Sequence, residues 1–113
     1  KYYKPDWVIN AAAFTNVDEA ETKKELALKV NKDGPKFISE ILGDFGGNLI
    51  HISTDFVFDG YSRVPYKPND HANPISVYGD SKLLGEKEIE NWIKYLYENW
   101  KFRGHNKSLY CRQ

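Results

Sequence analysis

Asn48-Leu49-Ile50-His51-Ile52-Ser53-Thr54-Asp55 is the stretch on which the fold turns. Leu49, Ile50 and Ile52 make a short apolar run, preceded by Gly46-Gly47 and closed by small polar residues, so the spacing predicts a strand over Asn48 to Ser53. That strand delivers Thr54 and Asp55 into a loop. In open α/β sheets, ligands bind beyond the carboxyl ends of the strands, so these two residues stand where a site is expected.

Working outward, Asp6-Trp7-Val8-Ile9-Asn10 reads as an earlier buried strand, followed by the small-residue turn Ala11-Ala12-Ala13-Phe14-Thr15. From about Glu21 to Asn31, Leu26, Ala27 and Val30 fall at helical spacing with charges between them. Asp33-Gly34-Pro35 punctuates that pattern, and Pro35 suits the first turn of a renewed helix carrying Phe37, Ile38, Ile41 and Leu42, ended by Gly43 and Gly46-Gly47.

Downstream, the loop from Asp55 to Asn73 is rich in turn residues and in aromatics, among them Phe56, Phe58, Tyr61 and Tyr66. At about 19 residues it exceeds an ordinary connection, a length associated with functional loops. Asn73-Pro74 reads as an N-cap and first residue of a last helix, with Ile89, Trp92, Ile93 and Leu96 on one face. Asn99 to Gln113 shows no clear period. Strand, helices, strand, loop, helix is the order of a parallel sheet with crossover helices. The expected fold class is therefore α/β, a partial Rossmann-like, doubly wound parallel sheet.

Tyr78-Gly79-Asp80-Ser81-Lys82 lies on that last helix, where residues four apart share a face. Hydride delivery to a ketone carbon leaves a developing alkoxide, which needs a positioned acid and charge-stabilising donors. A free phenol titrates near about 10, and a neighbouring ammonium favours its ionised form. Tyr78 and Lys82 have the types and spacing for this chemistry, and Thr54 supplies a hydroxyl. The spacing alone is a weak signal, because Tyr97 and Lys101 repeat it without the preceding strand and loop. The joint pattern points to a nicotinamide-dependent reductase.

The bulk properties narrow the field further. With 113 residues the chain has room for one small domain. Sixteen acidic residues balance sixteen basic ones without a block of either sign, so nothing marks a nucleic-acid or anionic-membrane surface. There is no signal-peptide pattern or long apolar stretch, and Cys111 stands alone, which together suggest a cytoplasmic protein. His51, His71, His105 and Cys111 lack a compact ligand spacing, so no metal is expected. No Gly-x-Ser-x-Gly elbow is present. The lack of methionine, and an opening that leads straight into an apolar strand, suggest a piece of a longer protein.

Three segments resemble the extended short-chain dehydrogenase/reductase superfamily, and within it the dTDP-4-dehydrorhamnose reductase group: Asn10 to Glu21, His51 to Gly60, and Val77 to Lys87. The likeness spans roughly Pro5 to Glu90. It implies reduction of the C4 ketone of a deoxysugar nucleotide by NADPH or NADH, with Tyr78 as proton donor. It also implies that Lys82 tunes Tyr78 and holds the nicotinamide ribose, that Thr54 bonds near the reacting oxygen, and that Asp55 binds the sugar. Ala13, Phe14, Thr15 and Ile52 would join Tyr78 and Lys82 around the cofactor, and the full-length protein would be a possible homodimer. Residues 1–98 would form a partial NAD(P)-binding domain and 99–113 a tail of uncertain structure.

The family pattern has two elements that this sequence is expected to lack. One is the glycine-rich phosphate turn, which must follow a strand, whereas Gly43-Asp44-Phe45-Gly46-Gly47 precedes one. The other is the C-terminal substrate part, which Asn99 to Gln113 does not resemble. The competing expectation is a non-catalytic nucleotide-binding or regulatory subunit of the same superfamily, or an inactive fragment.

Overall fold

In the computed structural model, the residues described are 3–98 and 108–112. Three parallel strands form the sheet in the order β1 (Trp7–Asn10), β2 (Asn48–Ile52), β3 (Ser108–Cys111). Register pairs Asn10 with His51, and His51 with Tyr110. The loops after β1 and β2 therefore leave the sheet at the same end. The third strand lies in the stretch where the sequence shows no period. Its backbone pairing to β2, more than fifty residues away, is what makes it a strand. Lys101, from the second Tyr/Lys pair, falls outside the described residues.

Between β1 and β2 the chain is almost wholly helical. Asn16 caps α1 (Val17–Thr22), its Oδ1 accepting the Glu19 N–H at 3.0 Å, with Asp18 and Glu19 favourably placed in the first turn. Next come α2 (Lys24–Leu28), a π-helical turn over Lys29–Asp33, and α3 (Gly34–Phe45). The expected break at Asp33-Gly34-Pro35 is instead a widened turn, in which the Gly34 N–H reaches the Lys29 carbonyl. Pro35 has no N–H to offer the Asn31 carbonyl. Widening the turn lets the helix pass through the proline without ending. Gly46 closes α3 with a left-handed φ of 82°, a conformation open to glycine at little cost.

The last helix, α4, spans Val77–Glu98 and starts later than the sequence suggests. Ser76, not Asn73, takes the capping role, its Oγ accepting the Gly79 N–H at 3.0 Å. The Val77 N–H is taken by Glu21 Oε1 at 2.9 Å. Asn73 is committed elsewhere, its backbone N–H to the Val57 carbonyl at 2.8 Å and its side chain to Asp59.

The core is three small clusters. Leu42, Leu49 and Ile89 join α3, β2 and α4; Ala20, Ala27 and Tyr78 join α1, α2 and α4; Val57, Phe58 and Leu83 fix the long loop on α4. The apolar stripe expected on α4 is buried at Ile89 and Leu96 and half-buried at Trp92 and Ile93. By contrast Leu26, Phe37 and Ile41 are exposed. Among the described residues no helix is long and apolar enough to cross a membrane.

Candidate active site at the strand ends

The end of β2, the loop after β1 and the first turns of α4 converge, and each is held by named contacts. Thr54 follows β2 in extended conformation and caps a single 3-10 turn, Asp55–Val57, with its Oγ1 accepting the Phe56 N–H at 3.2 Å. Thr54 is buried and Asp55 exposed. Phe56 then turns its ring edge-on to Tyr78, with centroids 5.5 Å apart at 74°. Tyr78 itself is buried. The Phe56 carbonyl lies so close to α4 that any Cβ on Gly79 would overlap it. Glycine after the tyrosine is thus what lets the Thr54 loop approach the helix.

Lys82 sits one turn further along α4, with only 2 % of its surface exposed. Its Nζ donates to the Ile52 carbonyl at 2.6 Å, so the last strand residue and the ammonium are in direct contact. Burial pushes the Lys82 pKa down, and the Glu86 carboxylate, a further turn along, opposes that shift. Glu86 in turn holds Arg112 through a short two-pronged ion pair.

Under this site lies His51, fully buried, with Nδ1 3.1 Å from Asn10 Nδ2. Desolvation first, and the Lys82 charge second, bring its pKa down to about 4. The neutral ring accepting from Asn10 through Nδ1 carries its proton on Nε2. Neither His51 Nε2 nor Ser53 Oγ has a hydrogen-bond partner among the described residues.

The turn after β1 is anchored by a residue that the sequence reading passed over. Asn31, on the π-helical turn, is fully buried; its Oδ1 accepts from Phe14 N at 2.8 Å. Its Nδ2 donates to the Phe14 carbonyl at 3.1 Å and to Ser81 Oγ at 2.9 Å. Ser81 Oγ donates to the Tyr78 carbonyl at 2.7 Å. One amide therefore ties the Ala13-Phe14-Thr15 turn to the helix of Tyr78 and Lys82. Ala13 and Phe14 are half-buried and Thr15 exposed. The only hint in the sequence was a polar residue beside Val30 on an otherwise apolar face. Asn10, Ser81, Glu86 and Arg112 were passed over for the same reason: each matters through a partner distant in sequence.

Beside Phe56 the loop borders an open cavity of about 350 Å³ lined by Asp55, Phe56, Phe58, Asp59, Ile75 and Ser76. Asp59 organises its wall, accepting from Tyr66 Oη at 2.7 Å and from Tyr61 N at 3.0 Å. Those two bonds, the backbone one foremost, hold its carboxyl below the usual carboxylate range. A larger hollow, about 570 Å³, lies at the other end of β1, against Pro5, Val8, Ile38 and Leu42, and holds none of these residues.

Parallel strands whose carboxyl ends gather a phenol, an ammonium and a hydroxyl define a Rossmann-like α/β unit. The expected α/β class stands at that level. The chain belongs to the RmlD substrate binding domain family, which matches residues 1–98. A dTDP-4-dehydrorhamnose reductase of Sinorhizobium fredii is 49% identical over 82 residues, covering 73% of this chain and 28% of the relative. Among solved structures, a dTDP-4-dehydrorhamnose reductase of Clostridium acetobutylicum superposes with a TM-score of 0.81 at 35% identity, over 96% of this chain and 35% of that one. The Bacillus anthracis dTDP-4-dehydrorhamnose reductase, solved in complex with NADP, gives 0.82 at 32% identity, over 96% of this chain and 34% of that one. The chain spans about a third of the length of the curated relatives it matches, from 28% to 37%. The resemblance carried by the three sequence segments is borne out.

Proposed function

We propose that this chain is the catalytic segment of an NAD(P)H-dependent reductase that converts dTDP-4-dehydro-L-rhamnose to dTDP-L-rhamnose. The observation that carries the reading is the placement of Tyr78 and Lys82 one turn apart on a buried stretch of α4, against the end of β2 that presents Thr54. The names of the relatives supply the substrate. On this reading residues 1–98 are the partial cofactor-binding domain of a doubly wound fold, and a nucleotide sugar is the partner.

The donor set fits the nicotinamide-ribose end of the cofactor: an ammonium, a phenol and a backbone turn at the end of a strand. Ala13, Phe14, Thr15, Ile52, Tyr78 and Lys82 would hold it, and when bound it supplies the hydride that reaches the C4 carbon of the sugar. The carbonyl π electrons move onto oxygen as that carbon–hydrogen bond forms. Tyr78 Oη donates its proton to this oxygen, so the product is the alcohol and the phenol is left ionised. Lys82 keeps a positive charge one helical turn away, which favours the phenolate. Thr54 Oγ1 donates a hydrogen bond to the reacting oxygen, and Asp55, exposed at the cavity rim, accepts from sugar hydroxyls. Glu86 favours the charged form of Lys82 despite burial.

The test is NADPH or NADH oxidation by the intact protein with dTDP-4-dehydro-L-rhamnose, with product identified by mass spectrometry. Turnover that disappears in Tyr78→Phe supports the assignment. Turnover that survives this substitution would overturn the role of Tyr78.

A further inference from the structure

Arg112 follows β3 and bridges α4 and the far part of the long loop, which near its base already meets α4 through Val57, Phe58 and Leu83. Its Nε donates to both Glu86 oxygens at 2.9 and 3.2 Å, and its Nη2 to Glu86 Oε2 at 2.6 Å. Its Nη1 donates to the Pro68 carbonyl at 2.7 Å. Its Cζ lies over the Phe58 ring, 5.3 Å from the centroid. Glu86 is on α4, one turn beyond Lys82, whereas Pro68 and Phe58 belong to the long loop that walls the cavity. Both charged side chains are largely out of water, 10% exposed for Arg112 and 1% for Glu86.

We propose that Arg112 is a positioning residue, a clamp that fastens the cavity loop between Asp55 and Ser76 onto the helix bearing Tyr78 and Lys82. The chemistry requires a guanidinium. Only its planar fork offers donors to a carboxylate on one side and to a carbonyl on another while leaving a flat face for an aromatic ring. An ammonium gathers its three donors at one atom and has no flat face, so it cannot reach the Glu86 carboxylate and the Pro68 carbonyl from opposite sides while covering the Phe58 ring. The clamp reaches well beyond its own contacts, because the loop is a packed unit. Phe58 stacks on Tyr66 with centroids 4.3 Å apart and planes 2° apart. Tyr66 Oη bonds Asp59, which also receives Asn73 Nδ2 at 3.4 Å. A hold on Phe58 and Pro68 therefore fixes the cavity wall as well as the loop base.

The clamp also sets the distance between two parts of the proposed reaction. The cavity wall would seat the sugar nucleotide, and α4 carries the proton donor. This consequence rests on the proposed function, but the clamp itself does not. A loop released from Arg112 would weaken sugar-nucleotide binding while leaving Tyr78 and Lys82 in place.

The experiment is hydrogen exchange on the intact protein and its Arg112→Lys and Arg112→Ala variants, comparing loop amides with sheet amides. Asn73 N–H, which donates to the Val57 carbonyl at 2.8 Å, and Asp70 N–H, which donates to Lys67 at 3.1 Å, report the loop. The paired amides of β1 and β2 report the fold. Arg112→Lys keeps the charge beside Glu86 and is expected to speed loop exchange about tenfold with the sheet unchanged. Unchanged loop exchange in both variants overturns the clamp. So does equal acceleration of loop and sheet in Arg112→Lys, which would make Arg112 a general stabiliser. If Arg112→Ala does not fold, Arg112→Lys alone decides. In the reductase assay, Arg112→Lys should raise KM for the sugar nucleotide about tenfold with kcat within about twofold. A KM that stays constant while the loop opens would overturn the link to the site. Should the unsubstituted protein show no turnover, the functional reading fails and the exchange comparison still decides the clamp.

Discussion

From Val77 to Glu86, α4 buries a phenol, a hydroxyl, an ammonium and a carboxylate; from Lys87 to Glu98 the same helix buries Ile89 and Leu96. In the first half the Tyr78 ring packs edge-on against Phe56, and the other three groups have polar partners: Ser81 in the Asn31 network, Lys82 at the Ile52 carbonyl, Glu86 at Arg112. Burial of a charge is tolerated only on such terms. In the second half Ile89 and Leu96 only have to leave water, and the buried Trp92 indole N–H has no hydrogen-bond partner among the described residues. On the proposed function, the first half serves chemistry and the second serves stability. Substitutions can break this contrast from either side.

The largest effect is expected from Tyr78→Phe. Loss of the proposed proton donor should lower kcat by about 10³-fold, or about 4 kcal/mol of transition-state stabilisation. The ring stays in place against Phe56, so the unfolding midpoint should hardly move. A substitution that unfolded the chain instead would assign Tyr78 to the same packing role as Ile89, and the contrast between the halves would collapse.

Gly85→Ala should cost about 3 kcal/mol in equilibrium unfolding, since overpacking against an immovable neighbour is destabilising. Any Cβ at Gly85 would overlap the Asn31 carbonyl, which is backbone. That carbonyl also belongs to the residue whose side chain anchors Phe14 and Ser81. The variant should therefore weaken cofactor binding as well as stability, measured by titration with NADPH. A neutral Gly85→Ala would mean that the π-helical turn and α4 can separate more easily than their contact at Asn31 and Gly85 implies.

These two halves were not equally legible in the sequence. The strand expected over Asn48 to Ser53 and the stripe Ile89 to Leu96 follow from apolar spacing, which reports element type better than burial, since Trp7, Ile9, Leu26, Phe37 and Ile41 are exposed. Tyr78, Lys82 and Thr54 stand out as candidates because their chemistry is specific and a strand precedes them. Asn31 and Arg112 do not, because a single polar residue has no period and its partners lie 50 and 26 residues away. The start of α4 was misplaced for a related reason. Asn73 is a good cap in isolation, but Val57 and Asp59 claim it first, and Ser76 is left to cap the helix. Residues Ser108–Cys111 become a strand only because β2 offers them an edge.

His51 links the site to pH. With its pKa brought from 6.5 down to about 4 in the folded state, the unfolded chain takes up a proton first as pH falls. Stability from this group is complete above about pH 6.5 and declines as pH drops toward 4, by about 2 kcal/mol between pH 7 and pH 5. Denaturant unfolding at those two values should show this extra loss in the unsubstituted protein and not in His51→Gln. A His51 ring that titrates near 6.5 by NMR would contradict burial beside Lys82.

The smallest effect is expected at Gly43→Ala, and it sharpens the comparison most. Here too a Cβ would be too close, 2.6 Å from Trp92 Nε1. The neighbour is a side chain on the second half of α4, half-buried and stacked on Tyr95 at 4.8 Å. A side-chain indole can swing by the roughly 0.8 Å that clears this contact, where a backbone carbonyl cannot, and alanine is the better helix former by about 1 kcal/mol. The net cost should be about 1 kcal/mol or less, well below that of Gly85→Ala in the same unfolding experiment. Equal costs would show that the second half of α4 is as rigidly held as the first. The difference between a half fixed by backbone contacts and a half free to adjust would then be lost.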